Sequence, residues 1–452
     1  MKMQKRILSA LLTASLLGTC VMGCSSGGKE DGEKSESGKR FEGVTLRFAP
    51  NWGTDPDHEI GRTMLEEFCE ETGLTIELEE ITGDEMKNKI SVDAAADNLP
   101  DVWQYWPGCV CKDLADADLL ADCSEYLEKS EVIKKDHFGD AALAPCTFDK
   151  EILALPRMGA TGVFLINKEI FKENELEAPK TWDELIEVSK ALREKGITPL
   201  NVGSKLGNPS HFFYNELVCQ FEEGVQDVNN LLDSSKTTFK TDAMQYAADK
   251  IEEMVKAGCF ADDVLGSTGD WSPSSAYYDE GYSAMCYTFS WQFASLSDET
   301  IEKSEIIKIP QIVETDREDN HMQGTTNDCW CISKKAWEDT AKQEAITALM
   351  DFLMWDYTKE IAQKGYIITV DAEIDKTIDY EALDSKLMSQ VLQWRSDNNI
   401  EADPMIWQSL PNLAIQTDYC NALDELWAGT ITGDEFIDKC EASVESNPML
   451  TT

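Results

Sequence analysis

Val44-Thr45-Leu46-Arg47-Phe48-Ala49-Pro50 alternates apolar and polar residues and reads as a β-strand. Behind it Ile60, Met64, Leu65 and Phe68 recur at helical spacing over residues 57–72, with Asp57 able to cap the start and Gly73 placed to end the helix. Thr75-Ile76-Glu77-Leu78-Glu79 predicts a second strand, residues 84–96 a second helix, and Leu99-Pro100-Asp101-Val102-Trp103-Gln104-Tyr105-Trp106 a third strand. The order β-α-β-α-β calls for a parallel sheet with crossover helices. In open sheets of this kind ligands sit beyond the carboxyl ends of the strands. Those ends are Asn51-Trp52-Gly53-Thr54-Asp55 and Tyr105-Trp106-Pro107-Gly108, both aromatic and polar.

Toward the N-terminus, Met1-Lys2-Met3-Gln4-Lys5-Arg6 is a positive stub followed by the apolar run from Ile7 to Leu17, the pattern of a secretory signal over residues 1–23. The run is well short of the roughly 20 residues a helix needs to cross a bilayer. Val21-Met22-Gly23-Cys24 resembles the bacterial lipobox, which implies a lipid on Cys24. Residues 24–42 are polar and rich in glycine and serine, as expected of a flexible tether. The expected address is the extracytoplasmic face of the cell membrane, held there by the lipid.

The formal net charge of −45 argues against nucleic acid as a partner, because so acidic a surface repels phosphate backbones. More than 400 residues remain after the signal segment, enough for two domains. Twelve cysteines remain besides Cys20 and Cys24. Cys69, Cys219 and Cys286 sit inside apolar runs, where a free thiol packs as a small hydrophobe, and mostly free thiols are expected. Cys109-Val110-Cys111 and Cys329-Trp330-Cys331 are C-x-C pairs in a chain with four histidines; they read as packing or a disulfide, and no metal site is expected.

Four pieces then follow in order: Ile152-Leu153-Ala154-Leu155-Pro156, Gly162-Val163-Phe164-Leu165-Ile166-Asn167-Lys168-Glu169-Ile170-Phe171, Pro179-Lys180-Thr181-Trp182-Asp183-Glu184-Leu185 and Gly196-Ile197-Thr198-Pro199-Leu200. Gly281-Tyr282-Ser283-Ala284-Met285 through Trp291 and Gly324-Thr325-Thr326-Asn327-Asp328-Cys329-Trp330-Cys331-Ile332-Ser333-Lys334 continue the series. Together they resemble the extracellular solute-binding proteins of family 1, the maltodextrin-binding-like components of ABC sugar importers, over residues 44–370. Phe164 and Ile166 stand where that family often has tyrosines, and Gly365-Tyr366-Ile367-Ile368-Thr369 lacks its usual proline. Locally, Thr181 and Glu184 form a capping box before an apolar face of Leu185, Ile186, Val188, Ala191 and Leu192, so Trp182 reads as packing. Trp337-Glu338-Asp339 opens an amphipathic helix through Ala345, Leu349, Phe352 and Leu353, and Trp330 reads as core.

The resemblance implies an α/β, two-lobed periplasmic-binding-protein-like fold of type II. Each lobe is then a mixed, mainly parallel sheet flanked by helices, joined to the other by hinge strands. The lobes would be 43–152 with the return segment 319–362, and 153–318 with 363–452. It implies closure around a carbohydrate, delivery to the permease subunits of an ABC importer, a monomer, no cofactor and no catalysis. By position it points to Trp52, Asp55, Tyr105, Trp106, Asn327 and Asp328 on the first lobe, faced by Arg157 and Trp291. Aromatic rings would stack on sugar faces while the carboxylates, Asn327 and Arg157 serve the hydroxyls. A sensor or adhesion lipoprotein of the same fold is the alternative. A secreted glycoside hydrolase is the other, but it needs two carboxylates set across one cleft, and none of the 85 acidic residues is singled out as such a pair.

Overall fold

The computed structural model describes residues 38–447, save 233, 234, 313 and 325. The expected signal segment, Cys20, Cys24 and most of the tether lie outside the described residues. Among the described residues no helix is long and apolar enough to cross a membrane.

Strands Thr45–Ala49, Thr75–Leu78 and Val102–Tyr105 form as expected and pair in parallel, with Thr45–Ala49 in the middle. The helix between the first two runs Pro56–Thr72 and ends on Gly73, whose φ of 80° is the left-handed turn that glycine tolerates. Its start differs from expectation. Proline suits a first helical position, so Pro56 opens the helix, Asp55 takes the cap position without a side-chain bond, and Asp57 falls inside the first turn. The amphipathic helix expected from Trp337 is likewise two pieces, Lys334–Glu338 and Thr340–Asp351, because the Asp339 side chain caps the second by accepting from the Ala341 N–H.

Six strands make the larger sheet, in the order Ile368–Thr369, Leu155–Gly159, Thr326–Ile332, Val102–Tyr105, Thr45–Ala49, Thr75–Leu78. Four make the smaller one, in the order Ser304–Ile307, Gly162–Asn167, Ser283–Phe289, Thr198–Asn201. Both are mixed and flanked by helices. Antiparallel pairings carry more of each sheet than expected, because Thr326–Ile332 returns between two strands of the large sheet and Gly162–Asn167 inserts between two of the small one. The chain stays in the large sheet through Gly159, past the boundary expected at 152, and comes back to it at Ile368–Thr369. Pro156, which has no N–H to give, is accommodated where the ladder shifts register between Asp328 and Cys329.

Alternation along the strands sorts the core. Phe48, Val102, Trp330 and Ile332 face Leu65, Ile346 and Leu349 on one side of the large sheet. Trp103, Tyr105, Cys329 and Cys331 face Met86, Ile90 and Leu114 on the other, and that apolar cluster continues through Ile406 and Tyr419 into the small-sheet lobe. The crossings between lobes lie close together. Strand His321–Gln323 pairs in parallel with Glu401–Asp403. At the Gly159-to-Gly162 crossing, Ser290 N–H donates to the Thr161 carbonyl at 3.0 Å and the Arg395 guanidinium donates to Thr161 Oγ1.

Candidate functional site

Trp106 follows the large-sheet strand Val102–Tyr105 and is half-buried, its ring 5.8 Å from that of Tyr105. The Lys87 ammonium, on helix Asp84–Ala95, lies 5.2 Å from the Trp106 ring and 4.6 Å from that of Trp407. Trp407 is nearly parallel to His211 at 5.9 Å, and His211 lies against Phe212. Phe212 in turn meets Trp271 at 5.3 Å and Trp291 at 5.6 Å, and those two indoles stand almost perpendicular, 5.2 Å apart. Trp106, Trp407, Trp271 and Trp291 are each partly exposed, so one aromatic wall runs from the large-sheet lobe into the small-sheet lobe. A separate cavity of about 330 Å³, lined by Arg193, Phe260, Leu265 and Trp427 among others, shares no residue with it.

Local structure explains each placement. Asp270 at a φ of 67° caps helix Trp271–Asp279, its carboxylate accepting from the Trp271 N–H, and this fixes Trp271 at the helix mouth. Trp291 lies in the short turn Ser290–Ser295 just after strand Ser283–Phe289. The Trp407 carbonyl accepts from Gln416 Nε2 at 3.0 Å, and Gln408 Nε2 donates to the Thr326 carbonyl at 2.6 Å, tying this segment to the large sheet. Burial, and after it the Lys87 charge, pulls the His211 pKa well below its ordinary value, so the imidazole facing Trp407 is neutral.

The eight residues expected at the site divide. Trp106 and Trp291 belong to the wall. Asn327 is half-exposed and sits where the Thr326–Asp328 register slips, the kind of bulge that re-aims a side chain. Asp55 is exposed beside His58, at 3.6 Å, and burial first of all draws the His58 pKa down to about 4. Tyr105 is buried under the wall. Trp52 is buried too, edge-on to Phe48 and Tyr357, and an added Cβ on Gly61 would come within 2.6 Å of its ring. Arg157 and Asp328 are both buried and hold one another: Arg157 Nε donates to Asp328 Oδ1 at 3.0 Å and Nη2 to Oδ2 at 2.7 Å. Burial works against the Arg157 charge, but Asp328 more than offsets it and raises the pKa. Lys87, His211, Phe212, Trp271 and Trp407 were not anticipated. An aspartate before a tryptophan at a helix start was the one local signal, at Asp270-Trp271; Lys87, His211, Phe212 and Trp407 lie outside the stretches that carry the family motifs.

Residues 63–383 match the family model described as bacterial extracellular solute-binding protein. The chain belongs to that family. A probable amino-acid ABC transporter periplasmic-binding protein of Sinorhizobium fredii is 25% identical to this solute-binding protein over 169 residues, 35% of the chain. The match spans only 37% of that protein's length. Among solved structures, a protein studied for xylan utilization by the thermophilic bacterium Caldanaerobius polysaccharolyticus superposes with a TM-score of 0.76 at 22% identity, covering 88% of this chain and 99% of its own. A chitin oligosaccharide binding protein gives 0.76 at 20% identity over 89% and 98%. A Streptococcus pneumoniae solute-binding protein in complex with the blood group A-trisaccharide gives 0.72 at 18% identity over 89% and 100%. At these identities the likeness concerns the fold, two lobes with sheets flanked by helices.

Proposed function

We propose that this protein captures a carbohydrate between its lobes and hands it to the permease subunits of an ABC importer, acting as a monomer and without catalysis. The aromatic wall carries the reading. A sugar offers C–H patches on its ring faces and hydroxyls at its rim, so it needs flat indoles and a few fixed polar groups. Trp106 brings the large-sheet lobe to that wall and Trp271 and Trp291 bring the small-sheet lobe, so a ligand stacked along it gains most when the lobes are together. Asn327 and Asp55 serve hydroxyls from the large-sheet side, whereas Tyr105 backs Trp106, and Trp52, Arg157 and Asp328 are buried in the packing of the large sheet. The chitin oligosaccharide and blood-group-trisaccharide binders of similar fold support a sugar.

Incubating the mature chain with a panel of oligosaccharides and amino acids should raise Tm for some sugar without consuming it, and Trp291→Ala should abolish the shift while leaving the unliganded fold intact. Release of product, or a shift with amino acids alone, overturns the reading. The lipobox-like Val21-Met22-Gly23-Cys24 supports anchoring through Cys24 at the extracytoplasmic face. Cys24→Ser should then move the protein from the membrane fraction to the soluble one, and continued sedimentation with membranes would refute the anchor.

A further inference from the structure

The twelve described cysteines are all free, but they are not scattered evenly. Period two sends Cys329 and Cys331 to the same face of strand Thr326–Ile332, opposite Trp330. Helix Cys109–Asp116 delivers Cys111 to them within its first turn. The Cys111 Sγ lies 3.9 Å from that of Cys329 and 3.7 Å from that of Cys331, and all three sulfurs lie within 4.8 Å of one another. A disulfide would bring two of them to about 2.05 Å. The Cys109–Cys111 pair of the sequence is thus divided, and Cys111 meets partners 218 and 220 residues away.

These separations suit a shared cation. With metal–sulfur bonds of about 2.3 Å, the sulfurs of a tetrahedral site stand ~3.8 Å apart and those of a trigonal one ~4.0 Å. We infer that Cys111, Cys329 and Cys331 form a thiolate site for one soft d10 cation, copper(I) or zinc(II). Thiolates select such ions over hard ones. The site is buried, and among the described residues the oxygens bonded to these sulfurs are backbone carbonyls: Cys111 donates to that of Trp106 at 3.2 Å and Cys329 to that of Tyr105 at 3.5 Å. The thiol protons therefore have acceptors before a metal arrives. Binding copper(I) releases them, Cu⁺ + 3 RSH → [Cu(SR)₃]²⁻ + 3 H⁺, and zinc with a fourth thiol gives Zn²⁺ + 4 RSH → [Zn(SR)₄]²⁻ + 4 H⁺. Cys146 neighbours Cys329 but lies outside the group of three sulfurs, so it would have to close in to serve as the fourth ligand of zinc; copper(I) needs only three. The ion would pin the return strand to the helix that begins just after Trp106.

The mature chain, reduced and refolded without oxygen in the presence of one equivalent of copper(I) or of zinc(II), is freed of unbound metal and assayed for metal per chain and for its X-ray absorption spectrum. One ion per chain with an all-sulfur first shell is expected, three sulfurs for copper(I) or four for zinc(II) with Cys146. Cys331→Ser should lose the ion, and Cys286→Ser, a buried thiol of the small sheet, should keep it. Failure to retain either ion, an oxygen or nitrogen first shell in the unsubstituted protein, or undiminished retention in folded Cys331→Ser overturns the site. The absorption spectrum of the unsubstituted chain decides the matter even if Cys331→Ser does not fold.

Discussion

Arg157 lies in the large sheet with its guanidinium closed by Asp328 and flanked by the rings of Trp330 and Tyr357 at 5.7 and 5.9 Å. Gln104 Nε2 also donates to Asp328, so the carboxylate is fully engaged. A pair this buried contributes little net stability against an apolar replacement, but removing one partner leaves the other charged in a dry core. Asp328→Ala should therefore cost about 3–5 kcal/mol in urea unfolding. Arg157→Met combined with Asp328→Leu should recover most of it. Equal losses in the single and double variants would mean that the pair is not what holds these side chains. Both residue types were conspicuous in the sequence, yet only folding brings side chains 171 residues apart together, and so they were expected on a sugar rather than on each other.

At the scale of elements, what could be read were features written in short range. The first three strands and their parallel order follow from periods of two and of about three and a half, and the capping box at Thr181 forms as expected, the Thr181 hydroxyl accepting from the Glu184 N–H and the Glu184 carboxylate accepting from Lys180 and Thr181. Strands defined by a partner far along the chain were harder. Leu155–Gly159 joins the large sheet because Thr326–Ile332 comes back beside it, and nothing local to 155–159 announces that return. The wall was legible in part for the same reason. Trp106 and Trp291 stand at the ends of strands within recognisable motifs, whereas Trp407 depends on a close approach between distant segments. Gly108, at a φ of 76°, lies so near the Gln408 carbonyl that an added Cβ would come within 2.2 Å of its oxygen. The glycine after Trp106-Pro107 is therefore what lets the segment holding Trp407 dock beside Trp106.

For the whole molecule, the pivotal groups are those where the lobes join. Glu216, on helix Ser210–Val218 of the small-sheet lobe, is buried and accepts from the Tyr287 hydroxyl at 2.5 Å and from the Gln323 N–H of the crossing strand at 3.0 Å. Asp403, on the paired crossing strand, is held by His321 Nδ1 at 2.6 Å and Arg317 at 2.8 Å, and Arg395 approaches from helix Lys386–Asp397. Burial, and next the Asp403 charge, pushes the Glu216 pKa from 4.5 to about 8. Between those values the folded chain keeps a proton that the unfolded chain has released. The stability contributed by this group is therefore full below about pH 4.5 and falls as pH rises toward about 8, by an amount on the order of a few kcal/mol. Glu216→Gln keeps an acceptor for Tyr287 and Gln323 but cannot ionise. Relative to the unsubstituted protein it should be near neutral at acid pH and increasingly stabilising through neutrality, so that the two urea midpoints diverge as pH is raised and level off above about 8. Parallel pH profiles for the two proteins would show that Glu216 titrates alike in the folded and unfolded chain, and above about pH 4.5 the buried junction between the lobes would then have to hold two negative carboxylates at once.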